Sequence, residues 1–242
     1  MPYLPVLLSL LLAALVAKKV YQPHVHMLAE LMSCLPPWAK YPITVFCFYP
    51  TILATRLYCF LNTRLPTILV NSKVRLFNRI TPSIVLGVAP VFVSDVEELH
   101  GRENVRHVIN LCREWNPHAS LYAEKGITQT FLPTIDFEPP TLEATLQGLA
   151  AIEAAKARGE SVYVHCKAGR GRSVCIVLAY LVMKEGFTPQ DAELFLLSKR
   201  CNIARSKWKL PLFTELVRLK EAEAAAAGGS LTLRAGSPPP PK

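Results

Sequence analysis

His165-Cys166-Lys167-Ala168-Gly169-Arg170-Gly171-Arg172-Ser173 gathers a thiol, three cations, two glycines and a hydroxyl into one short stretch. The apolar run Val162–Val164 precedes it and Val174–Val182 follows, the order of strand, tight loop and helix. A loop that opens a helix turns backbone N–H groups towards an anion at the positive end of the helix dipole. Successive loop amides form an anion nest. Cys166 opens this loop and Arg172 closes it, so the chemistry expected is attack of a thiolate on phosphorus while the guanidinium clamps two phosphoryl oxygens. A free thiol has a pKa of about 8.5. A helix N-terminus with Lys167, Arg170 and Arg172 nearby favours the thiolate. Gly169 and Gly171 are expected to let the backbone curl around a small anion. Lys167, Ala168, Gly169, Arg170, Gly171, Arg172 and Ser173 are therefore the expected substrate-binding residues. Ser173 can hydrogen-bond the sulfur and help it leave, and His165 is expected to orient the loop through buried hydrogen bonds. A bare Cys-x5-Arg pattern arises by chance in many chains. The histidine before it, the glycine at the fourth place, the serine after it and both apolar flanks make this instance specific.

Cleavage of a P–O bond needs a proton donor for the leaving oxygen, usually a carboxylic acid within reach. Thr130-Phe131-Leu132-Pro133-Thr134-Ile135-Asp136-Phe137 reads as a short strand running into a loop, and Asp136 precedes Cys166 by 30 residues. Asp136 is the expected general acid and Glu138 its rival. The plainer alternative is that Asp136 caps the helix starting near Thr141.

The loop resembles the signature of the cysteine-dependent phosphatases, the superfamily of protein tyrosine and dual-specificity phosphatases. Its interior resembles the lipid-directed branches more than the phosphotyrosine enzymes. The separation of Asp136 from Cys166 is similar to that of the dual-specificity branch. Further segments match in order and spacing: Phe48-Tyr49-Pro50-Thr51-Ile52-Leu53, Phe77-Asn78-Arg79-Ile80 with Ile84-Val85-Leu86-Gly87, and Glu103-Asn104-Val105-Arg106 with Val108-Ile109-Asn110. Over residues 46 to 220 this series resembles the mitochondrial phosphatidylglycerophosphate phosphatases, dual-specificity-like enzymes of the cardiolipin pathway. Where that family has an acidic Asn-Glu-Glu-Tyr-Glu stretch, this chain has Cys112-Arg113-Glu114-Trp115-Asn116, and only Glu114 matches at an acidic position. The departure bears on substrate preference rather than on the reaction. The resemblance implies a phospholipid monoester substrate, no cofactor, and a monomeric catalytic domain at the inner mitochondrial membrane or another intracellular membrane. A protein dual-specificity phosphatase and a phosphoinositide phosphatase are the alternatives. A catalytically silent phosphate-binding scaffold is a third reading, which the intact Cys166, Arg172 and Ser173 and a plausible acid oppose.

The chain has 242 residues, enough for one domain with a sizeable core plus extensions. Its seven cysteines show no paired spacing, so a disulfide framework is not expected, and a thiolate nucleophile needs a reducing compartment. No zinc spacing occurs; His24 and His26 lack cysteine or carboxylate partners, and no metal is expected. The net charge of +9 is uneven: residues 1 to 94 carry eight Lys or Arg and one acid, Glu30. A basic, acid-poor N-terminal part suits targeting or an anionic membrane surface. Nucleic acid is not expected, because those cations are spread among long apolar runs.

Tyr3–Ala17 is almost wholly apolar and ends in Lys18-Lys19, shorter than the ~20 residues of a transmembrane helix. It lacks the basic residues that precede the apolar core of a secretory signal, and residues 1 to 55 contain no arginine, so a mitochondrial import signal would be atypical. Pro42–Leu61 is long enough to span, with Arg56 its one charge, but Pro42 and Pro50 argue against an uninterrupted helix. A segment lying in the membrane, a re-entrant one, and packing on the catalytic domain are the readings for it.

The body alternates. Ile84–Val88, Val105–Asn110, Thr128–Leu132 and Val162–His165 are expected strands. Ser94-Asp95-Val96-Glu97 reads as a capping box opening a short helix. Leu142–Arg158 is an expected helix with Leu142, Leu146, Leu149, Ile152 and Ala155 as its core stripe, ended by Gly159. A central helix over Arg172–Lys184 is apolar nearly all round. Thr188-Pro189-Gln190-Asp191 starts the next helix, and a last one covers Leu210–Ala225. The fold class expected is α/β of the dual-specificity phosphatase type: a mostly parallel twisted sheet flanked by helices, with a hydrophobic N-terminal extension. The boundaries expected are a membrane-associated extension over 1–69, the catalytic domain over 70–227 and a disordered Gly-, Ser- and Pro-rich tail over 228–242. Arg200, Arg205, Lys207 and Lys209 around Trp208 read either as a solvated basic loop or as a cationic rim for a phospholipid head group or an anionic leaflet.

Overall fold

The computed structural model describes residues 30–32, 34–64 and 74–226. The Tyr3–Ala17 run, His24, His26, the tail and both expected domain boundaries lie outside them.

Five strands form one sheet in the order β1-β2-β5-β3-β4, with β1 Phe77–Thr81, β2 Ile84–Gly87, β3 Val105–Cys112, β4 Thr128–Thr134 and β5 Ser161–His165. β1 runs antiparallel to β2; the β2–β5, β5–β3 and β3–β4 pairs are parallel. The four expected strands are present. The additional one is β1, whose Phe-Asn-Arg-Ile-Thr carries no clear alternation.

Both sheet faces are covered, as a parallel sheet requires. Side chains alternate between two cores. Ile84, Leu86, Ile109, Leu111, Val162 and Val164 enter the larger one. Val85, Val108 and Tyr163 enter the smaller one, beneath α3 (Val93–Gly101) and α4 (Ala119–Glu124). The larger core is closed by α5 (Leu142–Ala157), α6 (Arg172–Met183), α7 (Pro189–Lys199) and α8 (Pro211–Ala226). α6 is buried from Arg172 to Val182, because it passes between the sheet and its flanking helices.

Three expectations are corrected. On α5, Leu146 is 39% exposed, while Thr145 and Gly148 are buried with Leu149, Ile152 and Ala155. Gly148 lets the helix approach α6 and β4, where a Cβ would come within 3.2–3.3 Å of Ile176 and Leu132. Thr145 turns its hydroxyl back to the Thr141 carbonyl. α3 begins at Val93 rather than after Ser94. Asp95 accepts the Phe92 N–H at 3.0 Å, and with no oxygen on Phe92 only half of a capping box exists. Asp136 does not cap α5; the Thr141 hydroxyl does, accepting from Ala144 N–H.

Before the sheet lie α1 (Pro37–Phe46) and α2 (Phe48–Arg64), bent by 59° at Cys47. Pro50 in the first turn of α2 has no N–H to continue the α1 ladder, which accounts for the break. No single helix among the described residues is long and apolar enough to cross a membrane, though the bent pair passes on length and composition together. The pair packs on the domain: Phe48 stacks on Trp115 at 5.6 Å between ring centroids, and Arg56 forms a bidentate pair with Asp95 at 2.8 Å.

Candidate active site

The strand β5 delivers Cys166 to the end of the sheet, and α6 starts after Gly171. Every carbonyl of the intervening loop is held from outside. Lys167 O accepts from Ala89 N–H at 3.0 Å, Arg170 O from Ala204 N–H at 2.8 Å and Gly171 O from Cys175 N–H at 3.1 Å. Ala168 O and Gly169 O accept from the Arg200 guanidinium at 3.4 and 3.1 Å. A peptide whose carbonyl points outward turns its N–H the other way. Among the described residues, no N–H of Ala168 to Arg172, the other halves of these five peptides, has a protein acceptor. These amides face the cavity of the loop with Cys166 at its base, which is a nest for a small dianion.

Gly169 has φ +64°, and a Cβ there would lie 2.3 Å from the Gly87 carbonyl oxygen, so only glycine fits. Gly171 has φ −120° and ψ −84°, and a Cβ there would meet no protein atom within 4 Å.

Arg172 is buried and its guanidinium is bound from several sides. Nη1 donates to Thr134 O at 2.8 Å and Leu111 O at 3.2 Å, so the ends of β4 and β3 fix it. Glu114 receives it bidentately at 2.8 and 2.9 Å, and Nη2 lies 2.9 Å from Asp136. Nε has no partner. Asn110 shapes the loop that carries Glu114: its amide donates to Trp115 O and its carbonyl oxygen accepts from Cys112 N–H.

Ser173 Oγ donates to Cys166 Sγ at 3.2 Å, as expected. Burial pushes the Cys166 thiol up, but the Arg172 charge and the Ser173 hydrogen bonds outweigh it, and the pKa lies below the ordinary thiol value. Burial also raises Asp136, yet Arg172 and Lys167 overcome it and hold the carboxyl below the usual range. Lys167 Nζ lies 2.5 Å from Asp136. Phe137, the next residue, has φ +71°, strained backbone for a bulky side chain, and its N–H donates to Asp136 at 3.2 Å. Glu138, the rival, is drawn away into an ion pair with Lys40 of α1. The fold brings Cys166, Arg172, Ser173, Lys167 and Asp136 together and leaves Glu138 aside.

Burial lowers the pKa of His165 to about 3, against a hydrogen bond to the Cys166 backbone, so the ring is neutral. It orients the loop by packing, stacked on Tyr163 at 5.4 Å and edge-on to Trp115 at 6.1 Å. Arg170 is not free for a ligand at Nε, which donates to Asn202 O at 2.9 Å. The expected cationic rim loses Arg200. Arg200 is 1% exposed and turned inward, bound to the loop, to Arg75 O and to Asn78. Arg205 and Lys209 are exposed beyond it, and Lys209 lies over the Trp208 ring.

Two residues that hold the site escaped the sequence reading. Arg200 was assigned to the surface, and Glu114 was noted only as a surviving acid. A basic residue beside an apolar segment carries no mark of burial, and Glu114 meets Arg172 across 58 residues of chain. Removing one partner of a buried ion pair costs about 3–5 kcal/mol. Glu114→Ala is expected at the lower end, near 3 kcal/mol, because Asp136 still faces Arg172. A urea midpoint unchanged from the parent chain would refute this.

A thiol in a nest of free amides, an arginine at the nest's edge and a carboxyl beside both, set at one end of a mostly parallel sheet, define the cysteine-dependent phosphatases. Residues 91–213 match the dual specificity phosphatase catalytic domain, and the chain belongs to that family. It is 35% identical over 167 residues to phosphatidylglycerophosphate phosphatase PTPMT1 of Arabidopsis thaliana, covering 67% of this chain and 46% of that protein. It is 32% identical over 151 residues to phosphatidylglycerophosphatase and protein-tyrosine phosphatase 1 of Homo sapiens, covering 60% of this chain and 71% of that protein. A crystal structure of PTPMT1 superposes with a TM-score of 0.57 at 31% identity, covering 62% of this chain and 99% of that one; a second holds PTPMT1 in complex with PI(5)P.

Proposed function

We propose that this phosphatase removes the phosphate monoester of phosphatidylglycerophosphate, giving phosphatidylglycerol for cardiolipin synthesis. The observation that carries the reaction is the loop whose carbonyls are all tied outward and whose amides surround Cys166. The choice of lipid rests on the names of the relatives and on the acid-poor, apolar segment before the domain.

The Cys166 thiolate attacks phosphorus in line. The loop amides of Ala168 to Arg172 and the Arg172 guanidinium hold the equatorial oxygens. Asp136 gives its proton to the leaving alcohol, and a phosphocysteine forms. Asp136 then takes a proton from water as that water attacks phosphorus. Ser173, already bonded to the sulfur, eases its departure. No step in this scheme calls for a metal. The enzyme works as a monomer on a membrane surface, at the inner mitochondrial membrane.

The deciding experiment is phosphate release by the full chain under reducing conditions. Phosphatidylglycerophosphate in vesicles, phosphoinositides in vesicles and phosphotyrosine peptides are compared. A strong preference for phosphatidylglycerophosphate is expected. A preference for peptides would move the enzyme to the protein phosphatases, and Arg113-Glu114-Trp115 would be the first segment to examine for the cause.

A further inference from the structure

The helix pair α1–α2 has its polarity reversed. Two of its cations point into the protein: Lys40 is buried against Glu138, and Arg56 is bound to Asp95. Six of its large apolar side chains point out. Trp38 and Phe46 of α1 are 80% and 85% exposed, and Tyr49, Leu53, Leu57 and Phe60 of α2 are half-exposed or more. On α2 these four recur at helical spacing and form one stripe, opposite the buried Phe48, Ile52, Thr55 and Cys59. The threonine hydroxyls are turned to the backbone. Thr44, Thr51, Thr55 and Thr63 each donate to a carbonyl one turn earlier.

Water does not favour such a face; lipid does. Neither helix contains Asp or Glu. The stripe borders a cleft of about 950 Å³ between α2 and β1. There, beside Leu57 and Phe60, Arg56, Arg75, Arg79 and Arg102 outnumber Glu98 and Glu103, which pair with Arg102 and Arg79. Cations beside an apolar stripe suit an anionic leaflet. The 59° bend at Cys47 fits two helices lying in an interface. The occupant that these features select is an anionic phospholipid surface.

The same helices hold both catalytic loops. Lys40 binds Glu138, two residues from Asp136. Phe48 stacks on Trp115, next to Glu114 and edge-on to His165, while Arg113 covers the Tyr41 ring at 4.5 Å. α1 is ten residues long, contains Pro42 and has no side-chain N-cap. A helix so short and so interrupted is marginal in water. A bilayer binds it only when folded with its apolar face outward, the arrangement in which Lys40 and Phe48 reach the loops. The differential affinity that a switch needs is therefore present.

We infer that docking of the α1–α2 apolar face on an anionic bilayer raises the activity of the site by holding the Asp136 and Glu114 loops in place. This rests on the proposed membrane reading and extends it to regulation, with Lys40 as a positioning residue.

The test uses the full chain and a water-soluble substrate, para-nitrophenyl phosphate. Rates are measured with and without vesicles of phosphatidylcholine and phosphatidylserine, neither of which carries a phosphate monoester, and vesicle binding is followed by co-sedimentation. The chain is expected to bind, and kcat on the soluble ester to rise about fivefold or more. Leu53→Asp with Leu57→Asp should abolish binding and the rise together, leaving the vesicle-free rate as it was. Lys40→Gln should bind but show no rise. Binding by the parent chain without a change in kcat overturns the inference and leaves the membrane reading standing. No binding, including self-association through the stripe in its place, overturns both. The choice of phosphatidylglycerophosphate is judged separately by the substrate comparison.

Discussion

Cys166→Ser is expected to abolish turnover, by at least roughly 10⁴-fold, and to leave the fold intact. The sulfur sits at the base of a loop that already lowers its pKa, through Arg172 and the Ser173 hydrogen bonds acting against burial. A serine hydroxyl in the same place ionises several pH units higher than a thiol, beyond what the loop can draw down, and the His165 ring, its pKa lowered by burial to about 3, is too weak a base to activate it. The substitution removes no contact that the core needs, because oxygen is smaller than sulfur and Ser173 can bond either. Thermal unfolding should therefore stay within a few degrees of the parent while phosphate release disappears. Phosphate release near the parent rate would overturn the assignment of the nucleophile.

Asp136→Asn is expected to lower kcat by roughly 10²–10⁴-fold, the usual worth of general acid catalysis, and to reshape the pH profile. In the free enzyme Asp136 is ion-paired with Arg172 and Lys167, and these charges hold its carboxyl below the usual range against the effect of burial. A phosphate dianion entering the nest competes for Arg172 and brings like charge to Asp136. Both changes raise its proton affinity when a proton donor is needed. The sign follows for kcat/KM. The rising limb comes with ionisation of Cys166 and the falling limb with loss of the Asp136 proton. Both pKa values lie below their ordinary positions, so the optimum is expected on the acid side of neutrality. Asp136→Asn removes the falling limb. A variant that keeps that limb would transfer the acid role elsewhere, with Glu138 the first candidate to test by the same substitution. Glu138 starts at a disadvantage, since Lys40 holds it on the outer side of the loop.

The chemistry of the loop was legible because it is local. Cys166, Gly169, Arg172 and Ser173 lie on one short turn, and the apolar runs before and after it say strand and helix. Four strands and the principal helices were equally plain, since burial on both faces of a parallel sheet leaves continuous apolar runs. Elements governed by contacts far away in sequence were misread. Leu146 looked like core, but the face of α5 that meets α6 and β4 is narrow and takes Gly148 and Thr145 instead. β1 was missed as a strand because it owes its place to β2 and to Arg200 rather than to its own pattern.

The sequence by itself determined the nucleophile, its clamp and the reaction they serve, because thiolate, amide nest and arginine are bound by chain geometry within a few residues. Only the tertiary structure set Asp136 beside Lys167 and Arg172 and drew Glu138 to Lys40, turned Arg200 from a rim cation into the brace of the loop, and set Glu114 against Arg172. The hydrogen bonds and ion pairs of these residues join segments 31 to 125 residues apart. Nothing in a one-dimensional pattern records which of several like charges will be buried together, since that depends on where the sheet and helices place their ends. The reversed polarity of α1–α2 is of the same kind: the apolar run was visible, but which side of it would face the protein was settled by Lys40 and Arg56 finding carboxylates on the domain.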